Sequence, residues 1–139
     1  MADTRVFLPA LVMVALTFVV SMRMLFLRLG EMKRERIHPQ AVATRAQLAV
    51  KVRDSRASDN FANLFELPVL FYFAVVVAAI TGLVDDVMLG LSWAFVALRV
   101  AHSAIQCSYN RVMHRFVVFL LGVACLMVIW VWLAHGLLS

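Results

Sequence analysis

The chain has 139 residues, 64% of them hydrophobic and only 15% charged, a balance that excludes an ordinary soluble domain and reads as one integral membrane domain, 1–139. Its net charge of +5 gathers on one side of the apolar segments, so it is a topology signal, and no RNA- or DNA-binding module is visible. Cys107 and Cys125 stand in separate apolar segments without CxxC or metal-ligand spacing and read as packing residues, so neither a disulfide framework nor a metal site is expected.

The first apolar run lacks the short core and small-residue cleavage site of a secretory signal and is expected to remain as a span over about 6–28. Pro9 falls in its first turns, where a missing N–H matters least. Arg28 can snorkel to the interface, whereas Arg23 lies deeper and should face protein or a wet cavity. A basic loop is expected over about 30–58, with Lys33, Arg34, Arg36, Arg45, Lys51, Arg53 and Arg56 against Glu31, Glu35 and Asp54. His38-Pro39 breaks it, and Gln40 to Ser55 reads as a helix leading into the second span.

The second span is expected over about 61–81, with a kink at Pro68, followed by a tight acidic turn from Gly82 to Asp86. The third, about 87–109, carries Arg99, His102 and Gln106. Asn110, Arg111, His114 and Arg115 make the next connection, and the fourth span, about 116–134, is apolar with Trp130 and Trp132 at interface depth. The fold class is therefore all-α integral membrane, a bundle of four transmembrane helices. Every lysine and every arginine except Arg5 lies on or nearer the side of the basic loop, which the positive-inside rule makes cytoplasmic, with both termini outside.

Two polar stripes interrupt the spans. At about 100° per residue, Arg56, Asp59, Asn60 and Asn63 share one arc of a helix with Glu66 at its edge, and Arg99, His102, Gln106 and Asn110 share another, with Tyr109 adjacent. Both lie toward the cytoplasmic ends and can face each other, with Arg23, Arg111 and Arg115 nearby, as one basic, wet site. Helix-to-helix pairs such as Arg99 with Glu66 or Asp59 would explain some of these groups as structural glue. Arg23, Arg56, Arg99, Arg111 and Arg115 outnumber Asp59 and Glu66, however, and the surplus calls for an anion, either a small carboxylate-bearing ligand or lipid head groups.

Other residues read plainly. Tyr109 fits an aromatic belt, His38 and His114 are solvated, and the eight methionines are apolar filler. His102 is either an interior hydrogen-bonded histidine or a donor to a ligand. No Ser-His-Asp set, Gly-rich phosphate loop or catalytic acid pair is present, and neither stripe continues across the membrane to line a pore.

The entry to the second span, with its arginine, asparagine and glutamate ending in proline, together with RVAHSAIQ from Arg99 and the later Arg111 and Arg115, resembles the MAPEG superfamily, membrane-associated proteins in eicosanoid and glutathione metabolism. The likeness covers essentially the whole chain and is closest to small bacterial members. It implies a homotrimer in a bacterial inner membrane, with glutathione held as co-substrate between subunits near the cytoplasmic face. By resemblance, Arg99 and His102 stand around that ligand, Asn63 and Glu66 match an N-x-x-E pair that contacts it, and Arg115, with Arg111 in reserve, stabilises its thiolate. Arg56 and Asn60 also fit an R-x-x-x-N spacing of the leukotriene synthase branch, so either Asn60 or Asn63 is the equivalent asparagine; Arg23, Gln106 and Tyr109 are further candidates.

The chain departs from the family at three places. Proline follows Glu66 by two residues where the family has three, Gln106 replaces the tyrosine of the prostaglandin synthase branch, and Phe116 replaces its serine. The implied activity is that of a glutathione-dependent transferase or peroxidase acting on lipophilic small molecules drawn from the bilayer. The alternative is a non-enzymatic membrane protein of the same fold that binds lipid or a membrane partner.

Overall fold

A computed structural model describes residues 3–52 and 54–139; Arg53, part of the basic loop, lies outside the described residues. Among the described residues all regular structure is helical. Four helical stretches are long and apolar enough to cross a membrane: Thr4–Arg34, Arg56–Thr81, Asp86–Cys107 and Val112–Leu138. The shortest has 22 residues and rises about 33 Å, enough for a hydrocarbon core of about 30 Å.

A 3-10 turn at Thr4–Val6 leads into α1, Phe7–Arg34. The helix runs through Gly30 into the expected loop, since a glycine inside a helix costs only about 1 kcal/mol and Glu31, Met32, Lys33 and Arg34 all favour helix. Lys33 and Arg34 lie in its last turn, where cations complement the helix dipole. It ends where Arg36 adopts a positive φ of 52° and the Ile37 amide donates back to the Met32 carbonyl at 2.9 Å.

The helix expected from Gln40 to Ser55 is instead two short pieces, a 3-10 turn at Pro39–Val42 and α2 at Arg45–Lys51. Thr44 separates them by capping α2: its hydroxyl accepts from the Gln47 amide at 3.2 Å, and the Gln47 side chain accepts from the Thr44 amide at 3.1 Å.

The second span is also divided, into α3 (Arg56–Asn63) and α4 (Leu67–Thr81). The break lies upstream of Pro68 because the proline ring has no N–H and clashes with the carbonyl four residues earlier, that of Leu64. The chain tightens there, with the Phe65 amide donating to Ala62 at 3.0 Å, before α4 restarts with Pro68 in its first turn. Gly82 then closes α4 at φ 72°, a left-handed position that a Cβ would strain.

Asp85 starts α5 (Asp86–Cys107) by accepting from the Met88 amide at 2.7 Å. Its second carboxylate oxygen accepts from Trp132 Nε1 at 3.1 Å, which ties the turn to α6 (Val112–Leu138). α5 and α6 pack along much of their length, α1 lies against α3 and α5, and α4 lies against α6. The core between them is apolar, with Met13, Phe71, Met88, Phe95, Ile129 and Leu133 fully buried and Phe71 stacked on Phe95 at 4.8 Å. Large apolar side chains such as Phe18, Phe26, Phe73, Ile80 and Val131 point outward, as lipid contact demands.

Asp85→Ala removes a helix cap and the partner of an indole N–H at once. It is expected to lower stability by about 1–3 kcal/mol, measured by thermal unfolding in detergent, whereas Asp86→Ala, one residue on, stays near the unsubstituted protein.

Candidate functional site

The polar stripes of α3 and α5 form a seam. Asn63 Nδ2 donates to Gln106 Oε1 at 3.2 Å, Ser103 Oγ donates to Asn60 Oδ1 at 3.1 Å, and Asn60 Nδ2 reaches Cys107 Sγ at 3.4 Å. Asn60, Ser103 and Gln106 are buried, so these bonds satisfy amides that would otherwise be stranded. Of the two candidate asparagines, Asn60 is thus spent within the protein, and Asn63 is half-buried and faces a cavity.

That cavity holds about 340 Å³, at the small end of the range for ligand pockets, and lies between α3, α5 and the start of α6. Its polar wall is Asp59, Asn63, His102, Gln106 and Arg115; its apolar wall is Val112, Phe116 and Phe119. Arg115 is fixed from behind, where Nη1 donates to Asn110 Oδ1 at 2.9 Å. Asn110 can present that oxygen because it turns the α5–α6 connection at a positive φ of 48°, a conformation asparagine tolerates better than most residues. His102 is buried, with its ring edge-on to Phe119 at 6.1 Å.

The other arginines do not line the cavity. Arg23 Nη2 donates to the Cys107 carbonyl at 3.0 Å, and Arg56 Nη1 donates to the Ser108 carbonyl at 3.0 Å. Both therefore satisfy carbonyls at the C-terminus of α5, which no intrahelical N–H reaches and where the helix dipole favours a cation. Arg56 also forms a two-pronged pair with Asp54, at 2.8 and 2.9 Å. Much of the cation surplus read from the sequence is thus absorbed by helix ends and by a loop carboxylate, without any ligand.

Arg99 is 2% exposed, and among the described residues it has no ion-pair partner, neither Glu66 nor Asp59. Its guanidinium carbon sits 5.5 Å from the ring centroids of both Phe95 and Phe119, while Nε and Nη2 lack hydrogen-bond partners. Gly122 of α6 lies beside it, where a Cβ would be in ordinary van der Waals contact with Arg99 Nε at 4.0 Å.

Arg111 is exposed at the start of α6, and Tyr109 is exposed with its hydroxyl 3.1 Å from His114 Nδ1. Glu66 is exposed and borders a second, larger crevice of about 870 Å³ beneath the 42–52 segment, walled by Met24, Leu27, Leu48, Phe61 and Phe65. Asp59 borders both spaces. Sequence reasoning placed Asp59 on the polar stripe without naming it as a ligand contact, and it left out the apolar wall. Phe119 was reachable, because it stands one helical turn beyond Arg115 on the same face.

A protein-family model, that of the MAPEG family, matches residues 6–135. Searches of curated proteins and of solved structures returned no significant match.

Two predictions follow the geometry. Asn110→Ala is expected to cost about 1 kcal/mol in thermal unfolding because of the left-handed backbone, and Asn110→Gly much less; both release Arg115 and weaken anion binding in the cavity. The second concerns pH. The Arg56 guanidinium beside Asp54 holds its carboxyl down at about 2, against 3.8 when free. A depressed carboxyl contributes stability above its free value that is lost as pH falls toward the folded one. The melting temperature should therefore drop between about pH 4 and pH 2, and Asp54→Asn should flatten that limb; the effect is small because the pair is solvated.

Proposed function

Since the chain belongs to the MAPEG family, we propose that it is a membrane-embedded, glutathione-dependent transferase or peroxidase whose thiolate is stabilised by Arg115. Membership supports a membrane protein of glutathione and eicosanoid metabolism, and the observation that carries the finer reading is the Arg115 guanidinium, tethered by Asn110 and lining a cavity with Asn63, His102 and Gln106.

A fixed cation in a partly dry site lowers the pKa of a thiol held beside it, and the thiolate is the attacking species. In the transferase reaction its sulfur forms a bond to an electrophilic carbon while the leaving group, or the opened ring oxygen, takes the electron pair. In the peroxidase reaction it attacks the terminal oxygen of a hydroperoxide, the O–O bond breaks, and the alkoxide takes a proton. The resulting sulfenic acid condenses with a second glutathione to give disulfide and water. Gln106 and Phe116 offer no hydroxyl to the thiol, so its activation rests on Arg115. Phe116, Phe119 and Val112 provide an apolar wall on which a lipophilic substrate can lie.

The assembly we propose is a homotrimer with the ligand shared between copies, the site near the cytoplasmic face of a bacterial inner membrane and both termini outside. The concentration of arginine at the Arg23, Arg56 and Arg115 end supports that orientation. Within one chain Glu66, Arg111 and Tyr109 are exposed and do not line the cavity, so in this reading they take part through a neighbouring copy. Arg99, which is buried, and Arg23, which is half-buried, act in this reading as supports of α5.

Detergent-purified protein should bind glutathione and show ultraviolet absorbance of the bound thiolate at neutral pH. In Arg115→Ala the pH midpoint of thiolate formation should rise by roughly one to three pH units, with Arg111→Ala changing it less. No binding at millimolar glutathione, together with a stoichiometric membrane partner, would establish the non-enzymatic alternative instead.

A further inference from the structure

The crevice beneath the 42–52 segment has two apolar surfaces that face each other across open space. Its floor is Leu27 of α1 with Phe61 and Phe65 of α3, the two phenylalanines in T-shaped contact at 5.0 Å; its roof is Val42, Leu48 and Val52. No residue of α2 or of the 3-10 turn before it is buried, so the roof is not packed down onto the floor. An apolar gap of about 870 Å³ is a space that hydrocarbon fills better than water. Its depth points the same way. Arg28, which lines the crevice, follows Phe7 by about 32 Å of helix, close to the thickness of the hydrocarbon core, so this part of the crevice lies where acyl chains meet head groups.

The charges around the crevice are unequally engaged. Asp54 is held by Arg56, Asp59 accepts from the Ser55 hydroxyl, and Glu66 lies beyond the other end of α3. Arg28 and Arg45 line the crevice as well, and among the described residues no carboxylate pairs with either. Each stands next to an apolar lining residue in the chain, since Arg28 follows Leu27 and Arg45 precedes Leu48 by about one helical turn. Two guanidiniums bordering a two-sided apolar slot suit an amphiphile with an anionic head, and the guanidinium fork matches the paired oxygens of a phosphodiester. We propose that the crevice is a phospholipid site: a glycerophospholipid of the adjoining leaflet sets its phosphodiester on Arg28 and Arg45 and an acyl chain between Leu48 and Phe65, and so holds the 42–52 segment against the bundle. The site is separate from the Arg115 cavity, with Asp59 bordering both, and it stands whether or not that cavity takes glutathione.

Delipidated full-length protein in detergent, titrated with phosphatidylglycerol or with diacylglycerol of the same chains, tests the proposal by native mass spectrometry and by hydrogen exchange of the α2 amides. Diacylglycerol keeps the chains and lacks the phosphodiester. The phospholipid should bind about tenfold more tightly or better, the effect of one charge-assisted hydrogen bond, and should slow exchange across Arg45–Lys51 several-fold, as inorganic phosphate alone should not. Arg28→Gln with Arg45→Gln should bring the phospholipid down to the level of diacylglycerol. Lys33→Gln with Arg36→Gln removes the same charge from exposed residues that do not line the crevice and should change neither lipid. Phe65→Ala, at a side chain 58% exposed and outside the core, should leave the fold intact and weaken both lipids, which keeps the test decisive if the double arginine variant fails to fold. The proposal is overturned if diacylglycerol binds as tightly as the phospholipid, if the Lys33 and Arg36 substitutions weaken binding as much as those at Arg28 and Arg45, if inorganic phosphate alone slows α2, or if the phospholipid binds without slowing it.

Discussion

Polar groups at membrane depth must find partners inside the protein, and the seam between α3 and α5 is where this chain meets that demand. Asn60, Asn63, Ser103 and Gln106 bond across it, each bond contributing roughly 0.5–2 kcal/mol. The size of that term matters less than the alternative, since stranding a buried carboxamide in an apolar setting costs more than a typical bond contributes. The seam thus fixes where α3 lies against α5, and with it the side chains that open into the small cavity.

Arg99 shows the opposite solution to the same constraint. It is buried without a carboxylate, and its charge is met by the faces of Phe95 and Phe119. Because Phe119 belongs to α6, that contact ties α5 to α6 at the depth where the cavity begins. The same phenylalanine makes a T-shaped contact with His102, so one ring meets both a guanidinium and an imidazole. A purely apolar residue in place of Arg99 could fill the volume but could not set the Phe119 ring by its quadrupole.

The fold class was legible because the signals were long and redundant: four apolar stretches of spanning length, separated by Pro39, Gly82 and a basic cluster, with the family motifs layered over them. The polar stripes were legible too, as helical periodicity places Asn63 and Asn60, like Gln106 and Arg99, on shared arcs. What periodicity does not carry is where a long side chain ends. Arginine heads sit on flexible stems, and Arg23 and Arg56 found the open carbonyls of the α5 terminus within reach. The count of five cations therefore overstated the charge that a ligand meets. Loop detail failed for a related reason: Thr44 and Gln47 form a capping box that only a helix start at Arg45 can use, a choice invisible to composition.

The two ends of the bundle differ in how firmly they are closed. At the far end a single carboxylate, Asp85, holds both the first turn of α5 and the indole of Trp132, and Leu83 packs so close to Gly136 that a Cβ there would come within 3.0 Å of it. At the cavity end the second span is severed between Asn63 and Leu67, and α5 joins α6 through a short turn resting on Asn110. The break uncouples the rotation of α3 from that of α4. α3 can thus turn its asparagines onto α5 while α4 keeps Phe71, Ala74 and Ala78 in the apolar core, two orientations that one unbroken helix would have to reconcile.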